Sequence, residues 1–354
     1  MLLGDLFSGL GVLFILLGII FGKASLWYIL FWTAFSGIFV ALLGPSFKAT
    51  ITDLLPKKDY AKASGMVQIA GNARYLLSPV LAGVLLAFYD IKLILTIDVC
   101  TFFVTAMAIL IVRNSLPKET KKEKNGAAGE LKEGFLYLKS KKGVFSLTLL
   151  MTAVCFFIGF LQVLIVPMLL NLTSEKVIGI LESSCAVGML IGSVILGAFG
   201  MKNKYVKTLG VAGMLSAIFM DLAGTSTNLY VIGGGAFLFF LFLPFVNASA
   251  DFLIRSNVEN KLQGRVWGII GLISQIGTAL AYVFSGVLAD YVFEPLLLEN
   301  GILSKTVGSV IGIGKGRGIG LMFILAGIGM FITMFVASKN KNIQKLESTR
   351  VKSN

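Results

Sequence analysis

Long apolar runs separated by short polar stretches dominate this chain. Ten runs are long enough to be helices that cross a membrane, because about 20 apolar residues span the roughly 30 Å hydrocarbon layer. The runs do not alternate apolar and polar residues, as the strands of a membrane β-barrel would. The predicted spans are Leu2–Phe21, Leu26–Phe47, Ala63–Tyr89, Leu93–Val112, Phe145–Leu170, Val177–Phe199, Val206–Gly224, Leu229–Asp251, Gly264–Ala289 and Gly318–Ala337.

The runs form groups of four and six on either side of the polar stretch Arg113–Val144. Within it, Pro117–Gly126 is charged and lacks apolar periodicity, which is typical of a flexible linker. Helical periodicity returns over Glu130–Val144, and this pattern predicts an amphipathic helix at the membrane interface. Its apolar face carries Leu131, Phe135 and Leu138.

These patterns predict an all-α, polytopic membrane protein with about ten transmembrane helices, arranged four plus six. The composition agrees, since 56% hydrophobic and 14% charged residues leave too little polar surface for a soluble globule of 354 residues. The predicted parts are a partial N-terminal bundle over 1–112, a cytoplasmic linker over 113–144, a six-helix C-terminal bundle over 145–337 and a basic cytoplasmic tail over 338–354.

Lys and Arg are distributed unevenly between alternate loops. With both termini in the cytoplasm, 24 of the 31 Lys and Arg residues fall in the inner loops and tail and six in the outer loops, while Arg74 lies inside a span. Cytoplasmic loops are enriched in Lys and Arg. We therefore expect a multi-pass protein of the plasma or inner membrane with cytoplasmic termini. Anionic lipid accounts for the net charge of +13, so no nucleic-acid partner is needed.

The residue inventory excludes several enzyme classes. The chain contains no His, which removes His-based metal sites and triads. All three cysteines fall within predicted spans, so a disulfide framework is not expected. We predict that the protein is not an enzyme and has no catalytic residue, metal or cofactor.

Glycines recur at intervals that allow close helix packing. Gly18 and Gly22 form one small-xxx-small pair, Gly188 and Gly192 form another, and a third group is the run Gly233–Gly235. Lipid provides no hydrophobic drive between helices, so small residues that let backbones approach are favoured.

Polar residues deep inside spans are candidates for a substrate or ion pathway, because a charge near the bilayer centre costs about 2.5–3.5 kcal/mol. Arg74 is the clearest, and we expect it to face either a cavity or a carboxylate. Asp98 and Asp221 are the deepest acids and serve either as its partner or as a protonatable group. Asp251 and Arg255 are spaced to form a local i,i+4 pair. The uncharged candidates are Gln68, Asn72, Gln162, Asn247 and Gln275.

Several motifs, in order, resemble the Major Facilitator Superfamily (MFS), in its macrolide-efflux-like and siderophore-exporter-like branch. The opening Met1–Leu6 resembles the stretch after the loop between family helices two and three, and Gly44–Lys48 the end of helix four. Asn72–Gly83 resembles helix five with its antiporter motif, whose equivalents are Ser78, Pro79 and Gly83. Glu133–Leu138 resembles the linker helix, Gly264–Val266 the start of helix eleven and Gly316–Gly318 the start of helix twelve.

The resemblance implies an MFS helical bundle with equivalents of helices three to six and seven to twelve, lacking the first two. It implies a monomeric secondary transporter that exports amphipathic, drug- or macrolide-like small molecules from the cytoplasm by alternating access, as a proton-coupled antiporter. Substrate is then expected near the midplane between the halves, with Arg74 contacting substrate or a carboxylate and Asp98 or Asp221 carrying the proton. One departure is that Ser78-Pro79 replaces the expected Gly-Pro of the antiporter motif.

Two alternatives remain open at this stage. The chain is either a transporter or an N-terminally truncated, non-transporting MFS fragment, as the missing first hairpin would allow. A ten-helix carrier of the drug/metabolite type is the second alternative, although its repeat boundary would fall near the fifth span rather than after the fourth.

Overall fold

The structure is a computed structural model that describes residues 2–55, 59–60, 63–67, 69–71, 85, 89–113, 127–201 and 204–351. Every element of regular secondary structure in these ranges is a helix. The main helices are α1 (Leu2–Ile20), α2 (Leu26–Leu54), α3 (Ile91–Arg113), α4 (Ala127–Ser140), α5 (Lys142–Leu170), α6 (Glu175–Phe199), α7 (Tyr205–Thr225), α8 (Leu229–Asn257), α9 (Gln263–Leu288), α10 (Arg317–Lys339) and α11 (Lys341–Val351).

Among the described residues, eight helices are long and apolar enough to cross a membrane, namely α2, α3 and α5 to α10. The predicted all-α membrane fold is therefore confirmed. Helix α1 coincides with the first predicted span and is apolar but shorter, over Gly4–Ile20. Most of the third predicted span, Ala63–Tyr89, lies outside the described residues, so the total of ten stays a prediction.

The chain divides into two compact units. Unit 1 comprises Met1–Lys57, Leu77–Phe135 and Glu259–Ile269. In it, α1 packs against α2 and α3. Ser8 and Ser36 share a hydrogen bond of 2.9 Å between their hydroxyls, and the Phe14 and Trp32 rings stack with centroids 4.2 Å apart.

Unit 2 comprises Lys58–Leu76, Leu136–Val258 and Ile270–Asn354. Helix α7 packs between α8 and α10, and α6 packs on α8. The predicted glycine packing is not seen at Gly22 in unit 1, which lies beyond the end of α1 and where a Cβ would meet nothing within 4 Å. It is observed in unit 2, where a Cβ on Gly188 would lie 2.6 Å from the Phe237 carbonyl oxygen and one on Gly192 would collide with the Leu241 carbonyl. Close backbone approach between α6 and α8 therefore depends on these glycines.

Helix α11 is packed against unit 2 over the part of the predicted basic tail that the structure describes. Its apolar face is buried, with Ile343 only 1% exposed, and it lies against α5. Glu347 accepts a hydrogen bond from the Tyr205 backbone N–H, and the Leu346 carbonyl accepts one from the Asn257 amide. The helix thus connects the neighbouring ends of α5, α7 and α8.

The segment between α9 and α10 is ordered by backbone turns, by the buried Arg317 and by the half-buried Glu294. Gly312, Gly314 and Gly316 adopt φ values of +95°, +107° and +85°, a region that favours glycine. Arg317 directly precedes the last predicted span, Gly318–Ala337, and was therefore one of the six cations assigned to the outer loops; it is instead 1% exposed and forms the first residue of α10. It donates hydrogen bonds to the carbonyls of Gly224 and Ser226, where α7 ends.

Glu294, which lies near the beginning of this connection, stabilises the start of α10. Its carboxylate accepts hydrogen bonds from the backbone N–H of Gly316 at 3.0 Å and from that of Ile319 at 3.3 Å. The first N–H groups of a helix lack partners within the helix, and a carboxylate there also complements the helix dipole. Glu294 therefore caps α10 although it lies 22 residues before Gly316 in the chain.

Candidate functional site

The predicted site residues of the third span fall outside the part of the chain that the structure describes. They are Gln68, Asn72, Arg74 and the antiporter-like Ser78, Pro79 and Gly83. Their predicted roles therefore stay predictions. The remaining candidates lie on five helices. Asp98 is on α3 in unit 1, whereas Gln162 on α5, Asp221 on α7, Asn247 on α8 and Gln275 on α9 all belong to unit 2.

The two intramembrane acids occupy different environments. Asp98 is exposed on α3 of unit 1. Asp221 is half-buried in unit 2, and its carboxylate contacts Gly327, where α7 meets α10. Its Oδ1 is buried with no hydrogen-bond partner among the described residues. Asp221 therefore lies within helix packing, whereas Asp98 lies on a helix surface.

A polar pair connects two helices of unit 2. The Tyr282 hydroxyl of α9 donates a hydrogen bond of 3.0 Å to Gln162 Oε1 of α5, and both side chains are exposed. The helices approach through small residues, since a Cβ on Gly159 would lie 2.9 Å from the Ala281 Cβ. Gln275 lies two turns before Tyr282 and is also exposed, so it shares that face of α9.

The side of α5 and α9 that carries these polar residues differs from the exposed face of α10. That face consists of large apolar side chains at helical spacing, as expected for contact with lipid; its members are Leu325, Ile328, Phe331, Ile332, Phe335 and Val336. Exposed amide and hydroxyl groups inside a span face a protein interior or a water-filled cavity far more often than lipid. The surface formed by Gln162, Gln275 and Tyr282, here called the polar face, is therefore the best candidate for contact with water or solute.

Asn247 is half-buried on α8 and does not take part in the hydrogen bond between Tyr282 and Gln162. The same helix ends in the predicted i,i+4 ion pair, which is confirmed: Arg255 contacts Asp251 at 2.8 Å with both side chains buried. Ser64 also donates a hydrogen bond of 2.9 Å to Asp251, and the Tyr60 ring centroid lies 5.9 Å from the Arg255 guanidinium carbon. Tyr60 and Ser64 thus pack on the end of α8 within unit 2.

The start of α9 carries a second set of polar contacts, within unit 1. Arg265 forms a salt bridge of 2.6 Å with Glu133 of α4, and the Lys48 ammonium lies 4.0 Å from the Trp267 ring centroid. No sequence pattern indicated either contact, because the partners are far apart along the chain. Tyr282 was missed as well, although its two-turn spacing from Gln275 could have indicated a shared face.

Comparison with known proteins agrees with this architecture. The Major Facilitator Superfamily profile matches residues 1–292. The chain is 26% identical over 272 residues to macrolide efflux protein A of Streptococcus pyogenes, a match covering 73% of this chain and 66% of that protein, and so less than two thirds of the relative's length. It is 23% identical over 303 residues to the uncharacterized MFS-type transporter YfiS of Bacillus subtilis, covering 82% and 72%.

The fold is also similar to a solved structure, a bacterial homologue of the iron transporter ferroportin in an outward-facing state. The TM-score is 0.69 at 14% identity, over 95% of this chain and 82% of that one. At this identity the likeness concerns the fold alone. The profile match covers most of the chain, and the helices and their exposed surfaces fit a membrane carrier. The chain belongs to the Major Facilitator Superfamily and is a multi-pass membrane protein.

Proposed function

We propose that the chain exports amphipathic, macrolide-like small molecules from the cytoplasm by alternating access. The observation that carries this proposal is the polar face, where Tyr282 and Gln162 are hydrogen-bonded and exposed on otherwise apolar helices. A few hydrogen-bonding groups on an apolar surface suit ligands that combine a large apolar body with scattered hydroxyl or amine groups. The similarity to macrolide efflux protein A supports the same substrate class.

In this proposal, the polar face lines the route of the substrate. Tyr282 and Gln162 exchange their mutual hydrogen bond for bonds to the substrate, and Gln275 offers a further amide near the middle of α9. Arg74 is proposed to contact the substrate or a coupling carboxylate. The transporter resides in the plasma or inner membrane with cytoplasmic termini, as the Lys and Arg distribution predicts.

Proton influx is the proposed energy source. A carboxylate that carries protons must alternate between a charged and a neutral form, and acids inside spans commonly have this role. Asp221 has a buried Oδ1 without a hydrogen-bond partner in the described part of the chain, and Asp98 is exposed on α3. Both remain candidates for the proton carrier.

The test is accumulation of a radiolabelled macrolide in cells that express the chain, with and without a protonophore. We expect lower accumulation than in cells without the chain, and loss of the difference when the proton gradient collapses. Tyr282→Phe combined with Gln162→Leu should weaken export severalfold. Tyr230→Phe is the matched control, since it removes a hydroxyl from a tyrosine that is 90% exposed at the start of α8.

Two results would count against parts of the proposal. Equal accumulation with and without the correctly inserted chain would favour the non-transporting alternative. Export that survives both Asp98→Asn and Asp221→Asn, singly and together, would remove these acids from proton coupling.

A further inference from the structure

Five lysines surround the contact between α11 and the start of α5. The helices touch through backbone, since a Cβ on Gly143 would lie 2.6 Å from the Asn342 carbonyl oxygen. Each lysine lies within one helical turn, along the chain, of Gly143 or Asn342. They are Lys139, Lys141, Lys142, Lys339 and Lys341, all exposed. None of the five forms a salt bridge with an acidic side chain in the described part of the chain.

The first turn of α5 contains no acid that would neutralise this positive charge. Lys141 is the N-cap residue, and no side chain caps the helix. A helix N-terminus favours an anion, because its first N–H groups are unpaired and the helix dipole is positive there. Lysines at the N-cap and first helical positions oppose that dipole. An anion placed here would interact favourably with both the lysines and the helix dipole.

An apolar surface adjoins the lysines on either side of this turn. Leu136 of α4 is 56% exposed, and Leu149, two turns into α5, is 50% exposed. The two helices join almost directly, with the Lys141 N–H bonded to the Tyr137 carbonyl at 3.2 Å. The lysines therefore lie at the end of a membrane-spanning helix, where lipid headgroups are found, with the exposed Leu149 further along that helix and the exposed Leu136 on the adjoining α4.

We propose that this junction binds an anionic phospholipid. The headgroup phosphate accepts hydrogen bonds from Lys141 and Lys142, while Lys139, Lys339 and Lys341 strengthen the positive field around it. The acyl chains run past Leu136 and Leu149. The bound lipid would join α4, α5 and α11 at the membrane surface, independently of which solute is transported.

The experiment is native mass spectrometry of the full chain in detergent, titrated with phosphatidylglycerol or with zwitterionic phosphatidylcholine. We expect preferential binding of phosphatidylglycerol. Each lysine near an anionic headgroup strengthens binding by about fivefold, so the triple variant K139Q/K141Q/K142Q should bind phosphatidylglycerol at least tenfold more weakly. The matched control K207Q/K305Q/K315Q removes the same charge from exposed lysines elsewhere in unit 2 and should change binding less than threefold.

Three outcomes would overturn the assignment. The first is equal affinity of the unmodified chain for the two lipids. The second is equal weakening by the two triple variants, which would indicate net charge without a site. The third is binding of glycerol phosphate, which has no acyl chains, as tight as binding of phosphatidylglycerol, since the junction would then be a site for a free phosphate ester.

Discussion

Glu347 Oε1 accepts a hydrogen bond of 2.6 Å from the Tyr205 backbone N–H, although the two residues are 142 positions apart. Lys204 precedes α7 as its N-cap residue and provides no side-chain cap. The first turn of α7 is therefore capped by α11, and the carboxylate also complements the helix dipole. Helix α11 is thus an integral part of unit 2.

Removing this cap should destabilise the protein measurably. We expect Glu347→Ala to lower the free energy of unfolding by about 1 kcal/mol, as for other lost N-caps. Thermal unfolding of the purified chain in detergent measures the effect. Glu299→Ala removes the same charge from an exposed residue between α9 and α10 and should leave the midpoint unchanged. Equal shifts in the two variants would assign the effect to charge alone.

Arg317 should matter more, because it is almost fully buried and bonds two carbonyls at the end of α7. Arg317→Met leaves those carbonyls without their donors, at a cost of about 2–4 kcal/mol in unfolding free energy. The thermal midpoint should fall by about 5 °C or more. Lys315→Met is the control, since Lys315 is an exposed cation two residues earlier. An unchanged midpoint in Arg317→Met would show that the bonds contribute little.

Two neighbouring glycines of α8 give a sharp test of helix packing. A Cβ on Gly235 would lie 2.8 Å from the Phe219 carbonyl oxygen of α7, whereas a Cβ on Gly234 would meet nothing within 4 Å. Gly235→Ala should therefore cost about 1–3 kcal/mol through overpacking. Gly234→Ala should be neutral or stabilising by up to about 1 kcal/mol, because alanine favours the helix. The midpoints of thermal unfolding distinguish the variants, and the reverse order would contradict this packing.

The length of the apolar runs predicted most of the helices. The span predicted over Val177–Phe199 is observed as Glu175–Phe199, and the i,i+4 spacing of Asp251 and Arg255 predicted their ion pair. Such features depend on neighbours along the chain, where composition and helix geometry decide the outcome. Contacts between distant residues were not predictable in this way. Arg317 was taken for a loop cation because its partners are backbone carbonyls, which no sequence pattern marks.

The candidate site was predictable only in part. Gln162 and Gln275 were identified as polar residues in apolar spans, but their relation depends on Tyr282, which is 120 residues from Gln162. A tyrosine in a membrane span is a weak indication of a polar site, because its apolar ring suits the membrane interior and only its hydroxyl is polar. The predicted pathway residues between Gln68 and Gly83 lie outside the described residues, so their relation to the polar face stays a prediction.

The proposal that the polar face lines the transport pathway is tested most directly by measuring whether water reaches this face inside the membrane. Gln275→Cys, in a background with Cys100, Cys155 and Cys185 replaced by serine, should react with a membrane-impermeant thiol reagent, and substrate should slow the reaction. Ile328→Cys is the control, because Ile328 is 46% exposed on the uniformly apolar face of α10. We predict rapid labelling at position 275 and none at 328. Absence of labelling at 275 from either side of the membrane would contradict the claim that this face lines the transport pathway.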